Sequence, residues 1–295
     1  MKGNGMGFFK DDTLQQQFND NGFVIVRSFL EMKNVENILQ FIKEKGVKTD
    51  VKSMYSNLEE LDKAAAHEVE SFLCDEYKVG LSKYFKNYKI AGSSFLFKGP
   101  SKDSASYLHQ DWNIIDENQY QAAVIWVPLE PVNEENGCLV VVPGSHQWQP
   151  TIRSSNIDSI HLKYSQRLEP YIQSVPAQPG DAIIYGLNTF HGSKPNFSKS
   201  TRKSAVVTIS DENAVPLHYF KDEASQKVFE VNGDNEFMYK MYFRLRNGEK
   251  VSLDEVEVLG EVPNFEQYLM REQDFYAYLN DKPRLLGRIR NFLGV

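Results

Sequence analysis

The feature that most limits what this chain can fold into is a series of short runs between residues 92 and 210. They read GSSFLFKG (92–99), QAAVIWVPLEPV (121–132), GCLVVVPGSH (137–146), DAIIYGLNTF (181–190) and RKSAVVTIS (202–210). Each is rich in β-branched or aromatic residues and is bounded by Gly, Pro, Asn or Asp, the punctuation of strands and turns. No long helical pattern separates them. The strands are therefore expected to pair antiparallel, in a sandwich or barrel rather than a parallel sheet.

The first ninety residues read differently. DDTLQQQ starts a short polar helix that ends at a turn, Asn21–Gly22, before a strand over Phe23 to Val26. Val35, Ile38, Leu39 and Ile42 recur at helical spacing, with Gly46 as the stop. Residues 57–85 form a second helical region, with a break expected near Gly80. The polar segment 150–175 suits a long loop over one end of the sheets. FMYKMYFRLRNGEKVSLDEVEV, after residue 220, reads as a hairpin or a strand and turn, and Phe265 to Val295 as helix with a break at Pro283. The expected organisation over 1–295 is one domain: a helical part to about residue 90, a β core from about 91 to 215, and a C-terminal extension from about 216.

Composition excludes some partners. A formal net charge of −7 lacks the basic surplus of a phosphate-backbone binder, so no nucleic acid is expected. No apolar run approaches the ~18 residues of a membrane span, and the N-terminus lacks the apolar core of a signal peptide. The two cysteines, Cys74 and Cys138, show no C-x-x-C spacing, which favours a reducing compartment and a cytoplasmic protein. Oligomeric state is not legible.

The stretch SYLHQDWNII, 106–115, sets a histidine one residue from an aspartate. On a strand, residues i and i+2 share a face, so His109 and Asp111 are expected to point together, beside Tyr107 and away from Gln110 and Trp112. Such a pair is either a strand ion pair or two ligands awaiting a metal. His191 is the third candidate: it stands at the end of a hydrophobic strand and is followed by Gly192 and Ser193. Arg202 lies eleven residues further on, after the polar turn KPNFSKST. His146 closes a Pro–Gly turn and reads as structural, while His161 and His218 lie in poorly patterned segments and are the weakest candidates for substrate contact.

Two imidazoles and one carboxylate on one face of a metal make the facial triad of non-haem Fe(II) oxygenases, which leaves positions open for a 2-oxo acid and dioxygen. The far carboxylate of such a cosubstrate needs a fixed cation, and arginine pairs with carboxylates bidentately without losing its charge. Arg202 suits that position, and the Ser193 hydroxyl can assist it.

These residues resemble the phytanoyl-CoA dioxygenase family of Fe(II)/2-oxoglutarate-dependent oxygenases. The likeness runs from about residue 15 to 210 through NGFVIVRSFL, HQD (109–111), NGCLVVVPGSH, PGD (179–181), HGS (191–193) and Arg202. It implies a double-stranded β-helix, the cupin-like jelly roll, with flanking helices. It also implies iron held by His109, Asp111 and His191, and 2-oxoglutarate held by Arg202 with help from Ser193. The implied reaction hydroxylates a C–H bond of a small-molecule metabolite with O2, giving succinate and CO2. Relatives that halogenate replace the carboxylate ligand with a small residue; Asp111 is present, so oxygen chemistry is favoured. Tyr107, Trp126 and Tyr185 are candidate pocket residues, although aromatic residues on strands are more often core. Two alternatives stay open on the sequence: a cupin-like metal dioxygenase or isomerase that does not use 2-oxoglutarate, and a jelly roll that binds a ligand without turnover.

Overall fold

The computed structural model describes residues 7–56, 63–148, 152–154, 156, 157, 165–234, 237, 241, 244 and 249–280. Helix α1 (Asp12–Asn21) begins where the Asp11 carboxylate accepts from the Leu14 amide at 2.9 Å. It ends at Gly22, whose φ of 81° is a left-handed turn that an L side chain resists. Strand β1 (Phe23–Val26) follows, as expected. Helix α2 (Met32–Glu44) buries Val35, Ile38 and Ile42.

Helix α3 (Lys63–Tyr84) runs straight through Gly80 instead of breaking there. The glycine serves packing. A Cβ at residue 80 would lie 2.7 Å from the Phe29 ring and 2.8 Å from the Phe29 carbonyl. Gly80→Ala is therefore expected to destabilise the protein by about 1–2 kcal/mol in chemical denaturation, overpacking outweighing the gain of about 1 kcal/mol in helix propensity. A stabilised variant would contradict this packing role.

The remaining strands are β2 (Met54–Ser56), β3 (Tyr88–Lys98), β4 (Ser106–His109), β5 (Ala122–Pro128), β6 (Leu139–Val141), β7 (Gln173–Val175), β8 (Ala182–Gly186), β9 (His191–Ser193), β10 (Arg202–Asp211), β11 (Leu217–Lys221), β12 (Val228–Asn232) and β13 (Val258–Glu261). The larger sheet has the order β1-β8-β5-β10-β3-β2, the smaller sheet β4-β9-β6-β7, and β11-β12-β13 form a third. Every pairing in the two main sheets is antiparallel.

The larger sheet is buried on both faces, which is why its strands read as unbroken apolar runs rather than alternating ones. Ile125, Val127, Ile184 and Val207 face the helical layer of Phe18, Ile38 and Leu73. Val124, Trp126, Ile183 and Val206 face Leu139, Val141 and Val175 of the smaller sheet. Two antiparallel sheets packed face to face, with helices on the outside of one, make the expected jelly roll.

The PGD turn locks the N-terminal segment onto this sheet. Asp181 accepts from the amides of Ser28 and Gln178, both at 3.0 Å, and from Arg27 at 2.6 Å. Burial alone would raise its carboxyl pKa, but these donors outweigh burial and hold it below the ordinary value of 3.8. The folded pKa is depressed, so the contribution is present above the unfolded pKa and is lost as pH falls through the folded value. Asp181→Ala is expected to cost about 1.5–3 kcal/mol at pH 7, most of it from the two amides, because Arg27 is 62 % exposed. Measured by denaturation against pH, the difference from wild type should shrink in acid, below the usual carboxylate range. A difference that stays constant would contradict the assignment.

Beyond residue 220 the sequence reading needs correction. Phe237, Met241 and Arg244 are helical, so the hairpin expected there is absent at these positions; their i, i+4 and i, i+7 spacing puts them on one helical face. Phe265–Tyr268 is a separate 3₁₀ turn, and helix α4 begins at Glu272 rather than Phe265, its described part being Glu272–Asn280. The break expected at Pro283 and the residue His161 lie outside the described residues. The supposed loop 150–175 contains a 3₁₀ segment, Ser165–Tyr171, and strand β7. Among the described residues no helix is long and apolar enough to cross a membrane.

Candidate active site

His109 ends β4 and His191 begins β9, and the two are cross-strand partners in the smaller sheet. Their rings lie 4.4 Å apart. Asp111 does not reach them by strand alternation. The strand stops at His109, and Asp111 sits in the irregular segment beyond, its amide donating to the Leu187 carbonyl at 2.9 Å. Gln110 and Trp112, expected on the opposite face, border the same cavity as Asp111 because the chain has already left the sheet.

The DAIIYGLNTF run is likewise not one strand. β8 ends at Gly186, and a turn closed by Thr189 N–H to Gly186 O carries the chain from the larger sheet to the smaller one. That crossing puts His191 opposite His109.

One ligand atom from each of His109, Asp111 and His191 lies within 4.8 Å of the others. The Asp111 carboxylate is 3.8 Å from His109 Nε2 and 3.7 Å from His191 Nε2, too far for direct hydrogen bonds. Each imidazole is set by its other nitrogen: His109 Nδ1 meets the Tyr107 carbonyl at 2.7 Å, and His191 Nδ1 meets the Thr189 carbonyl at 2.9 Å. A carbonyl only accepts, so each Nδ1 carries a proton, which leaves each Nε2 as the nitrogen that faces Asp111. Burial pushes His191 down to about 4 despite the Asp111 charge, so its imidazole is neutral at physiological pH. A neutral ring beyond hydrogen-bond distance is a poor ion-pair partner and a good metal ligand. The donor set, two imidazoles and one carboxylate, fits iron.

These three side chains border a cavity of about 580 Å³ between the two main sheets. Arg202 and Ser193 line it as well. Arg202 is 2 % exposed, donates to the Gly137 carbonyl at 2.6 Å and lies over the Trp126 ring at 5.2 Å. Its Nε has no hydrogen-bond partner, and among the described residues no carboxylate forms an ion pair with it. Burial lowers its pKa to about 10, so it keeps its charge. A buried cation with an idle donor is costly unless an anion completes it. A cosubstrate carboxylate fits that vacancy in the hydrogen bonding.

Of the aromatic candidates, Trp126 and Tyr185 are buried in the cavity wall, with the Tyr185 ring 4.3 Å from that of His191. Tyr107 borders the cavity but is 75 % exposed, a rim residue. His146 holds the Asn19 carbonyl through Nε2 at 2.8 Å, the structural part expected of it. His218, expected in a poorly patterned segment, is instead buried on β11 and lines the cavity wall beside Trp112. The short aromatic run LHYF around it is the signal that marks a strand, and burial of a histidine is what a sequence does not display.

The family model described as "Phytanoyl-CoA dioxygenase (PhyH)" matches residues 18–204, well over half of the chain. The chain belongs to the phytanoyl-CoA dioxygenase family. It is a non-haem iron and 2-oxoglutarate-dependent dioxygenase. It is similar to a probable alpha-ketoglutarate-dependent hypophosphite dioxygenase of Stutzerimonas stutzeri, 23 % identical over 229 residues that cover 69 % of this chain and 79 % of the relative. Phytanoyl-CoA dioxygenase 1 of Oryza sativa subsp. japonica is 24 % identical over 63 % of this chain and 70 % of its own. The solved structure of the epimerase SnoN, in complex with Fe3+, alpha ketoglutarate and nogalamycin RO, covers 70 % of this chain and 85 % of its own with a TM-score of 0.50 at 18 % identity, which shows a shared fold. Within this phytanoyl-CoA dioxygenase family fold, the match ends at residue 204, before β11 and His218.

Proposed function

We propose that His109, Asp111 and His191 hold Fe(II), that Arg202 and Ser193 hold the distal carboxylate of 2-oxoglutarate, and that the rest of the cavity takes a small-molecule metabolite for hydroxylation at a C–H bond. The observation that carries this reading is one cavity bordered both by three converging ligand atoms and by a buried guanidinium with an idle donor. When bound, iron supplies the dioxygen chemistry that couples decarboxylation of 2-oxoglutarate, to succinate and CO2, with substrate oxidation.

The protein's part is position and exclusion of water. The Tyr107 and Thr189 carbonyls fix both imidazoles, and the indole of Trp126 and the Gly137 carbonyl fix the Arg202 guanidinium. Leu96, Val124, Leu139 and Val206 keep the intervening wall apolar. The walls and volume suit an organic molecule of moderate size with a partly apolar surface. The names of relatives include a hypophosphite, a 2-aminoethylphosphonate and a phytanoyl-CoA dioxygenase, so the reading takes the substrate class from the cavity walls rather than from the family. The reading includes a reducing, cytoplasmic setting, supported by Cys74 and Cys138 both being free.

The test is a metabolite panel assayed for substrate-stimulated succinate release with Fe(II), ascorbate and 2-oxoglutarate. Stimulation by one chemical class is the expected result. Oxygen uptake that proceeds equally without 2-oxoglutarate would contradict the reading.

A further inference from the structure

Asp111 is the one candidate ligand of the three that no strand positions. Its backbone is held from two sides. The amide donates to the Leu187 carbonyl at 2.9 Å, and the carbonyl accepts from Arg153 Nε at 2.6 Å. Arg153 is 5 % exposed. Its own backbone is doubly tied to Asn113: Arg153 N–H donates to Asn113 Oδ1 at 2.7 Å, and Asn113 N–H donates to the Arg153 carbonyl at 3.1 Å. The other end of the guanidinium pairs with Glu117 in a contact whose side chains are 4 % and 10 % exposed. Arg153 thus staples both ends of the segment 111–117, and Ile152, next to it, donates to the Tyr268 carbonyl at 3.1 Å.

We propose that Arg153 is a positioning residue for the metal centre: its guanidinium, seated on Glu117, fixes the Asp111 backbone and so aims the Asp111 carboxylate at His109 and His191. This rests on the proposed metal site and adds a requirement to it. A buried charged pair is weak evidence for stability, because desolvation offsets the attraction. Fixing a single geometry is the better account of such a pair beside a ligand that lies in a loop. Groups that orient metal ligands typically contribute about tenfold to a hundredfold in metal affinity.

The experiment is anaerobic titration of the apoprotein with Mn(II), followed by calorimetry, for wild type, Arg153→Met and Glu117→Gln. Arg153→Met is expected to bind Mn(II) about tenfold to a hundredfold more weakly. Glu117→Gln, which keeps an oxygen acceptor for the guanidinium, is expected to lose less than Arg153→Met. In turnover assays the Arg153→Met requirement for Fe(II) should rise by a similar factor, with succinate release largely restored at saturating Fe(II). A purely structural residue would not move the metal requirement in that way.

Equal Mn(II) affinity in folded wild type and Arg153→Met would overturn the proposal. So would an activity deficit that excess Fe(II) leaves in place. If Arg153→Met does not fold, Arg153→Lys decides: one ammonium cannot replace the two-ended fork, so weaker metal binding by a folded variant supports the role and wild-type affinity overturns it. Wild-type protein that fails to bind Mn(II) at all would instead sink the metal-site reading beneath it.

Discussion

Asp111→Ala is expected to lower 2-oxoglutarate-dependent succinate formation by roughly a thousandfold or more, a loss of about 4 kcal/mol or more in transition-state stabilisation. Asp111 supplies the only carboxylate of the three-residue cluster. Its removal takes away the negative charge that balances a divalent ion and leaves two imidazoles as the only ligands of the cluster. Mn(II) or Fe(II) titration should show the cause directly, as a collapse in affinity, while the thermal transition of the apoprotein stays close to wild type because the carboxylate is part-exposed and makes no direct hydrogen bond to either histidine. Activity within tenfold of wild type would remove Asp111 from the site.

Arg202→Ala is the second large effect. A charge-assisted pair with the cosubstrate is worth about 1.5–3 kcal/mol, so KM for 2-oxoglutarate should rise about tenfold to a hundredfold, with a smaller change in kcat at saturation. Arg202 also packs over Trp126 and ties the Gly137 carbonyl, so truncation loosens that wall as well. Arg202→Lys separates the two contributions. It keeps a charge but not the planar fork, and should recover only part of the 2-oxoglutarate affinity. An Arg202→Ala enzyme with unchanged KM for 2-oxoglutarate would contradict the assignment.

Most strands of the larger sheet were legible because burial on both faces writes continuous apolar runs, as in Ala122–Pro128, whereas the short β2, β7 and β9 carry no such run and were not. The candidate site residues, which the structure brings to one cavity, stood out for a different reason. Histidine, aspartate and arginine at fixed offsets carry their chemistry in their identity, wherever the backbone places them. The route to the site was not legible. His109 and Asp111 look like strand neighbours, but the strand ends between them, and what holds Asp111 is Leu187 and Arg153, distant in sequence. Gly80 looks like a helix stop because a sequence does not show that Phe29 lies against it. His218 lies on a strand beyond the family match, and tertiary contacts bring it to the cavity: the Leu217 amide donates to the Ile114 carbonyl, His218 Nδ1 meets the Asn113 carbonyl at 3.3 Å, and its ring packs beside Trp112. Helical Phe237, Met241 and Arg244 show the same limit, since aromatic-rich sequence suits either strand or helix and tertiary contacts decide.

Anaerobic calorimetric titration of 2-oxoglutarate into the protein, with and without one equivalent of Fe(II), tests the whole arrangement most directly. The predicted result is one molecule bound per chain with iron present, and binding at least tenfold weaker without it, because metal and guanidinium grip opposite ends of one small dicarboxylate. Affinity indifferent to iron, or no binding in its presence, would mean that the histidines, the aspartate and the arginine do not serve one site.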